Sequence, residues 1–436
     1  RPLAEEAPQG FIPTWCGQWE ASNSTLGEAV LPISSMPDYL RARLLVRFHG
    51  EPLGFLELDV PGGVLDEGMT AARVEKDFGD LINQHRRRDE QLYGDVSLDD
   101  SLLTDAVAPV CARSTAQTSV TVAVCTRNRP ETLRSCLAEL QSLVYPHLEI
   151  LIVDNAPSDD GTEQVVRAAM TANPRIRYVR EPRPGLSCAR NRAIIEAKGE
   201  VLAFTDDDVA VDPLWVDGLV DAFRTADTWC VTGLVPTAIL DGPFEGYFDA
   251  RVNWGDRCDS RRYDLGSSRV EDALYPFSAG IFGTGANFAC RTQVLRDLRG
   301  FDEALGAGTL TAGGEDLDIF VRILFAGGAI QYEPRAIVWH KHRADLANLE
   351  QQMYSHGTGM SAFLSKQLAD PKHRWALLSR VPTGARKLAV AMRSTKTTLG
   401  WADQLAPGLL RKELRGMAAG PLLYRRARRR IPPRHR

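Results

Sequence analysis

Three consecutive carboxylates follow an apolar, strand-like stretch. The segment VLAFT (201–205) runs directly into Asp206, Asp207 and Asp208, here called the acidic trio. Like charges side by side repel, and burying them unpaired is costly. Carboxylates in D-x-D spacing at a strand end can bind a divalent cation, which in turn can hold a diphosphate. The alternative is a solvated turn or a helix N-cap, because the segment DPLW (212–215) just downstream has the form of a helix start.

A second acidic pair, Glu315 and Asp316, follows a glycine-dense segment (282–314). The pattern predicts a helix from Glu315, with both carboxylates in its first turn. One interpretation is a favourable interaction with the helix macrodipole, worth about 0.3–1 kcal/mol. The other is a general base held at a helix start beside a flexible glycine loop. The residues alone leave both interpretations open.

Two histidines, His340 and His342, end the strand-like segment AIQYEPRAIVWHKHR (329–343). Alternate positions on a strand point to the same face, so both can face one site. One interpretation is that these histidines bind a metal or a phosphate. The other is that they are structural or exposed side chains, and the residues alone leave both open.

The elements that must position these residues form a regular alternation of strands and helices. Apolar strands alternate with helical stretches, and the segments in chain order are 120–126, 130–143, 148–155, 160–171, 175–181, 187–199 and 201–205. The stretch 130–143 places Leu133, Leu137, Leu140 and Leu143 on one helical face. This alternation predicts a parallel sheet with right-handed crossovers, covered by helices on both faces. We expect the sheet to span about 118–235.

Ligands of such sheets bind beyond the carboxyl ends of the strands. Polar residues follow three of the predicted strands: Thr126, Arg127 and Asn128 after the first, Asp154 and Asn155 after the second, and the acidic trio after the fourth. We therefore expect these side chains to converge on one edge of the sheet.

The sequence outside this alternation predicts two further parts. The 436 residues, 44% hydrophobic and 25% charged with a net charge of −4, suggest two or three domains. Residues 1–115 are predicted to form a small α+β unit, because 39–63 alternates around a turn at 49–52 and 69–92 has helical spacing. Residues 346–436 are predicted to form a helical, basic extension.

The cysteine spacing and the hydropathy of the sequence indicate the cellular compartment of the protein. The eight cysteines form no Cys-x-x-Cys pair, which argues against a zinc knuckle or a redox motif, and Trp15, Cys16 and Trp19 are expected to pack rather than act. There is neither an apolar run of 18 residues nor a secretory signal, so we expect a cytoplasmic protein in a reducing compartment. The triplet Asn23-Ser24-Thr25 matches a glycosylation pattern that often arises by chance.

The C-terminal stretch mixes apolar and basic residues and ends YRRARRRIPPRHR (424–436). Such helices can lie in an anionic membrane interface, so peripheral attachment at the inner face of the membrane and a solvated end both remain open. Nucleic acid is not expected as a partner, since no recognition fold accompanies the charge.

These segments, in this order, resemble the family 2 glycosyltransferases with the GT-A fold. The resemblance is carried by VAVCTRNRPETLRSCL, LEILIVDNAPSDDGT, PGLSCARNRAIIEAKGEVLAFTDDDV, GTGANFACR, RGFDEALG, GGEDLD and VWHKHR, and it covers about 118–345. It implies a Rossmann-like, mixed and mainly parallel sheet with flanking helices, and an inverting hexosyltransferase that uses a nucleotide-diphosphate sugar, preferably a UDP-sugar, with Mg²⁺ or Mn²⁺.

The resemblance also implies site residues. Asp316 would be the catalytic base with Glu315 beside it, and the metal ligands would be Asp206, Asp208 and His340, with His342 as the alternative histidine. The residues implied to bind the nucleotide sugar are Thr126, Arg127, Asn128, Asp154, Arg190, Asp206 and Asp207.

The sequence leaves open which acceptor is used, and it leaves two alternative functions. A surface glycan, a polyprenyl-phosphate lipid or a small-molecule aglycone would each suit as the acceptor. A non-catalytic nucleotide-binding scaffold is the first rival. A sugar-nucleotidyltransferase is the second, although the loop CTRNRPET (125–132) lacks the glycines that such enzymes place around a triphosphate.

Overall fold

The computed structural model describes residues 11–22, 25–26, 39–93, 114–252, 255, 257–384, 386 and 408–431. Asn23 and Ser24 of the glycosylation triplet lie outside the described residues, as do residues 387–407 of the apolar and basic C-terminal stretch.

A four-stranded sheet and a long helix form the N-terminal unit. Its strands are β1 (Thr14–Glu20), β2 (Thr25–Leu26), β3 (Arg41–Phe48) and β4 (Glu51–Asp59), in the order β2-β1-β3-β4, and its helix is α1 (Glu67–Tyr93). The predicted hairpin is confirmed: β3 and β4 are antiparallel, and His49 and Gly50 between them both have positive φ (49° and 77°). This conformation suits a two-residue hairpin turn. Trp15, Cys16 and Trp19 are buried, as expected for packing residues.

Within the described residues, the central sheet has nine strands. They are β5 (Val120–Thr126), β6 (Leu148–Asn155), β7 (Ile176–Glu181), β8 (Val201–Thr205), β9 (Val209–Val211), β10 (Thr228–Leu234), β11 (Arg261–Tyr263), β12 (Asn287–Arg291) and β13 (Ala329–His340). The order is β11-β13-β10-β12-β8-β5-β6-β7, with β9 paired to β13. Strands β5 to β8 are parallel and β12 runs antiparallel to β8, so the predicted mixed, mainly parallel sheet is confirmed. It extends beyond the expected 118–235, because β11, β12 and β13 join it.

Helices cover both faces of this sheet. They are α2 (Pro130–Gln141), α3 (Gly161–Ala172), α4 (Leu186–Glu196), α5 (Trp215–Asp221), α6 (Pro243–Val252), α7 (Thr292–Asp297) and α8 (Glu315–Phe325). Helices α2, α3 and α5 pack in one hydrophobic core, and α4, α7 and α8 pack in a second core. Helix α2 ends at Gln141, so Leu143 lies beyond it, although Leu143 is buried in the same core as Leu133.

The described helices after β13 include α9 (Leu346–Ala369), α10 (Pro371–Leu378) and α11 (Leu409–Arg430). Helices α9 and α11 are in backbone contact, because a Cβ added to Gly357 would lie 2.1 Å from the carbonyl oxygen of Glu413 and one added to Gly416 would lie 2.2 Å from that of Tyr354. The face of α11 that carries Gly416 therefore packs against α9. Among the helices that the structure describes, none is both long enough and apolar enough to cross a membrane. The expected domain boundaries at 115–118 and 345–346 stay a prediction.

Candidate functional site

The acidic trio lies at the end of β8 and is neutralised partly by the protein itself. Asp207 is buried and accepts hydrogen bonds from the Thr126 hydroxyl (2.6 Å) and from Arg129. Asp208 accepts from Arg129 Nη2 at 3.0 Å, and Arg343 Nη2 lies 3.5 Å from it. Two guanidinium groups thus offset the repulsion that made this sequence unusual. Neither arginine was predicted, and the Thr126 hydroxyl, expected at the nucleoside, is bonded to Asp207.

Asp206, Asp208 and His340 form a compact group of ligand atoms. Each offers an oxygen or ring nitrogen, and these atoms all lie within 4.8 Å of one another. His340 Nε2 is 3.8 Å from Asp208 Oδ1. The pairing of β9 with β13 explains the proximity, since it sets His340 opposite Val209, the residue that follows the trio.

His340 and His342 are neighbours, with ring centroids 5.3 Å apart, but they have different contacts. Strand β13 ends at His340, so the two-residue strand period does not extend to His342. The Nε2 atom of His342 instead lies 2.9 Å from the Thr237 hydroxyl and 4.0 Å from Asp249 Oδ1. His340 is the histidine whose ring nitrogen groups with the carboxylates of Asp206 and Asp208.

Burial dominates the electrostatics of this group. It raises the pKa of Asp206 to about 7, and the nearby charge of Asp208 acts in the same direction. Burial opposes ionisation of Asp208 too, but His340 and Arg129 outweigh it and hold the pKa of Asp208 below its ordinary value. Burial lowers the pKa of His340, so its imidazole is neutral at pH 7. A neutral imidazole beside two carboxylates is a donor set that a divalent cation accepts.

Arg190 connects this region to the second acidic pair. Its buried guanidinium donates from Nη1 to Glu315 Oε1 and from Nη2 to the carbonyl oxygen of Gly285, both at 2.9 Å. Burial lowers the pKa of Arg190, but the carboxylates of Glu315, Asp206 and Asp316 more than offset this and raise it. For Glu315, by contrast, burial raises the pKa to about 7. Glu315 is therefore held by an arginine rather than presented to a ligand.

Asp316 is only partly buried and is oriented by backbone groups. Its Oδ2 accepts from the N–H of Gly285 (2.9 Å) and its Oδ1 from that of Leu317 (2.8 Å). Gly285 thus contacts both Arg190 and Asp316, and a Cβ there would lie 3.0 Å from Arg190 Nη2 and 3.2 Å from Asp316 Oδ2. Gly285 precedes β12, the neighbour of β8, and the charges of both acidic groups act on Arg190.

The predicted nucleoside residues lie at the ends of β5 and β6. Asp154 is fully buried and accepts from the Tyr178 hydroxyl at 2.8 Å through Oδ2, whereas its buried Oδ1 has no hydrogen-bond partner among the described residues. Asn128 accepts from the N–H of Ser158 (2.9 Å), and Arg127 is exposed. The structure therefore brings Asp154 and the trio to the same edge of the sheet, as predicted.

The sequence of this region matches a known family model. Residues 121–298 match the model described as glycosyl transferase family 2. This part of the chain is therefore a family 2 glycosyltransferase region. The resemblance drawn from the motifs is thereby confirmed, and so is the enzyme class. Asp316 and His340 lie beyond the matched residues, so their roles are taken up below as proposals.

Curated relatives are similar over about half of this glycosyltransferase. The chain is 29% identical over 269 residues to the succinoglycan biosynthesis protein ExoM of Rhizobium meliloti, a match that covers 59% of this chain and 78% of that protein. It is 28% identical over 230 residues to the pre-mycofactocin glycosyltransferase of Mycobacterium tuberculosis, covering 52% of this chain and 43% of that protein. The chain therefore spans less than half the length of the second relative.

Among solved structures, the chain is similar to the mannosyltransferase PcManGT of Pyrobaculum calidifontis in complex with GDP-Man and Mn²⁺. Sequence identity is 18%, the TM-score is 0.46, and the match covers 72% of this chain and 86% of that one.

Proposed function

We propose that this family 2 glycosyltransferase transfers a hexose from a nucleotide-diphosphate sugar to an acceptor hydroxyl with inversion, using a bound divalent cation. The observation that carries the proposal is that Gly285 joins a partly exposed carboxylate, Asp316, to Arg190, whose charge is stabilised by Asp206 of the acidic trio. A base on one side and diphosphate-binding groups on the other are what a single displacement at a sugar carbon requires.

Asp154 supports recognition of the donor base. Its orphaned, buried Oδ1 is an acceptor that lacks a donor within the described part of the chain. Uracil and thymine each offer one imide N–H, and guanine can also donate to a carboxylate. We infer a UDP-sugar as the preferred donor, with dTDP- and GDP-sugars as the alternatives for measurement.

The residues near β8 fit Mg²⁺ or Mn²⁺. Asp206, Asp208 and His340 would hold the cation, because they combine two carboxylates with a neutral imidazole and Asp208 keeps Oδ1 facing His340 while Oδ2 bonds Arg129. When bound, the cation would stabilise the negative charge that develops on the departing diphosphate.

Two side chains of this chain are proposed to carry out the other parts of the reaction. Arg190 places a fixed positive charge between the acidic trio and α8, where it stabilises negative charge on the donor. Asp316, held by two backbone N–H groups, would accept the proton of the attacking hydroxyl. One displacement inverts the anomeric carbon through an oxocarbenium-like transition state, so no covalent nucleophile is required.

The acceptor is proposed to be a saccharide, a lipid-linked sugar or a small molecule. Similarity to a succinoglycan biosynthesis protein supports a saccharide acceptor of the cell envelope. The exposed arginines at the end of α11 support an acceptor at an anionic membrane surface; they are Arg425, Arg426, Arg428, Arg429 and Arg430. Flotation with vesicles of neutral and of anionic lipid tests the second idea, which fails if the two bind equally.

Calorimetric titration and a transfer assay test the function together. UDP, GDP and dTDP are titrated with Mn²⁺ and then with EDTA into the wild type, Asp208→Asn, Asp316→Asn and the surface control Asp297→Asn. We expect one nucleotide to bind with metal dependence, binding to be lost in Asp208→Asn, and Asp316→Asn to bind but not to transfer.

Two rivals predict other outcomes. A nucleotide-binding scaffold would bind nucleotide with no sugar release from any donor, so absence of turnover in the wild type with every donor would favour it. A sugar-nucleotidyltransferase would release pyrophosphate from a nucleoside triphosphate. Binding indifferent to both EDTA and Asp208→Asn would overturn the cation site.

A further inference from the structure

A second group of metal-type ligands lies in the N-terminal unit, outside the matched family region. The hairpin turn between β3 and β4 supplies His49, and α1 supplies His85 and Asp89. His49 Nδ1 and His85 Nε2 each lie 3.0 Å from the same oxygen, Asp89 Oδ2. The three side chains are 10%, 6% and 12% exposed. Two imidazoles therefore converge on one buried carboxylate oxygen.

The chain builds this group from two rigid elements. His85 and Asp89 are four residues apart on α1, so they share one face of the helix. His49 stands in a tight two-residue turn, and its ring packs against Phe48 and His85 with centroids 4.1 Å and 5.4 Å apart. Few rearrangements are needed to bring the donors around an ion.

Glu51 supplies the support that a metal-binding histidine usually has. Its Oε2 lies 3.2 Å from His85 Nδ1, on the side of the ring opposite Asp89. Histidines that bind metals commonly donate the other ring N–H to a carboxylate, which fixes the tautomer.

His85 has two tautomers with different consequences. Arg88 Nη2 is 3.0 Å from His85 Nδ1, so one tautomer accepts from Arg88 and donates Nε2–H to Asp89. The other donates Nδ1–H to Glu51 and frees the Nε2 lone pair beside Asp89. The first is a plain hydrogen-bond network, and the second is a metal-binding arrangement.

We propose that His49, His85 and Asp89 bind a zinc-type divalent transition-metal ion, with Glu51 as the positioning residue for His85. Zinc bonds of about 2.0–2.1 Å in a tetrahedral site set donor atoms about 3.3 Å apart, close to the two observed 3.0 Å separations. Imidazole donors favour zinc over Mg²⁺. The ion would fasten the β3–β4 turn to α1.

A route for the ion is present. Glu51, Arg88 and Asp89 line a cleft of about 650 Å³ whose far wall includes Glu333 and Arg335 of the central sheet. The fourth position of a tetrahedral ion could be filled by water from this side.

Cobalt absorption tests the proposal on the full chain, in an Asp208→Asn background so that the cluster near β8 does not contribute. Titration with Co²⁺ is expected to give the visible band of a tetrahedral complex at one ion per chain, which Zn²⁺ then abolishes. The band should disappear in His85→Gln and in His49→Gln. It should persist in His147→Gln, a control in which an exposed histidine bonded to Gln117 is changed.

Glu51→Gln separates metal binding from packing. It should weaken Co²⁺ binding by about 10- to 100-fold while keeping the tetrahedral band, since only the support of His85 changes. A folded parent protein that shows no tetrahedral band, or a band unchanged in both histidine variants, would overturn the proposal. The assay uses no sugar donor, so its outcome is independent of the transferase activity.

Discussion

Arg190 donates to Glu315 across 2.9 Å and thereby ties α4 to the first turn of α8. Both side chains are almost fully buried, with exposures of 2% and 6%. Breaking such a pair by removing one partner leaves an uncompensated buried charge, which is strongly destabilising. The next residue, Asp316, is only partly buried and contacts backbone N–H groups instead. We therefore propose different roles for two adjacent carboxylates: Glu315 stabilises the fold and Asp316 acts as the base.

This division predicts opposite phenotypes for two conservative variants. Asp316→Asn should lower kcat by about 10²- to 10⁴-fold, because a general base is lost, and should leave the melting temperature nearly unchanged. Glu315→Gln retains an oxygen that accepts from Arg190 but leaves this buried guanidinium without its paired charge, so it should lower stability by about 1–3 kcal/mol. Steady-state kinetics and thermal denaturation distinguish the two. Equal loss of kcat in both variants would show that the assignment of roles is wrong.

Arg129 and a bound cation are expected to compensate for one another. Arg129→Gln leaves Asp207 and Asp208 with less positive charge nearby and should cost about 1–3 kcal/mol in the metal-free protein. Added Mn²⁺ should then raise the melting temperature more in the variant than in the wild type. Arg134→Gln, which alters an exposed pair with Glu131 on the same helix, is the matched control. An identical Mn²⁺ shift in variant and wild type would contradict this compensation.

The sequence predicted those parts of the site that depend on local pattern. Apolar strands alternating with one-sided helices predict a parallel sheet, and parallel strands bring their carboxyl ends together whatever their order. Asp154 and the acidic trio therefore meet at one edge, as expected. Asp316 at a helix start also follows from the glycine loop before it.

The remaining contacts depend on register and on long-range pairing. Arg129 contacts the trio because β5 and β8 are neighbouring strands. Arg129 and Asp207 are 78 residues apart in the sequence, and no local sequence pattern predicts a contact over that separation. The choice of His340 over His342 depends on where β13 ends and on its pairing with β9. His49 and His85 lie in separate elements, so their meeting could not be read from spacing.

A buried glutamate in α6 predicts a pH-dependent stability. Burial raises the pKa of Glu245 from 4.5 to about 7, and the nearby charge of Asp241 adds to the effect. The folded state thus binds a proton more tightly than the unfolded chain, so this group's contribution to stability falls as pH rises from about 4.5 to 7 and then levels off.

Glu245→Gln should remove that slope, because the amide stays neutral and still accepts from the N–H of Gly242. Its melting temperature is expected to match the wild type near pH 5 and to exceed it at pH 8. Glu131→Gln, at an exposed position, serves as the control. A constant difference between variant and wild type across pH 5–8 would contradict the assignment.

Helix α9 is expected to hold the catalytic helix in place through a glycine contact. A Cβ added to Gly359 would lie 2.8 Å from the carbonyl carbon of Gly313, whereas one added to Gly313 would meet Gly359 Cα at an ordinary 3.6 Å. Gly359→Ala should therefore push back the segment that leads into Glu315 and Asp316, although alanine is the better helix former. We expect kcat to fall by about 10- to 100-fold, since a small displacement of a catalytic group is costly. Gly313→Ala adds a methyl group to the other residue of this contact, where there is room for it, and should therefore retain activity. Equal kcat values in the two variants would show that α9 does not position Asp316.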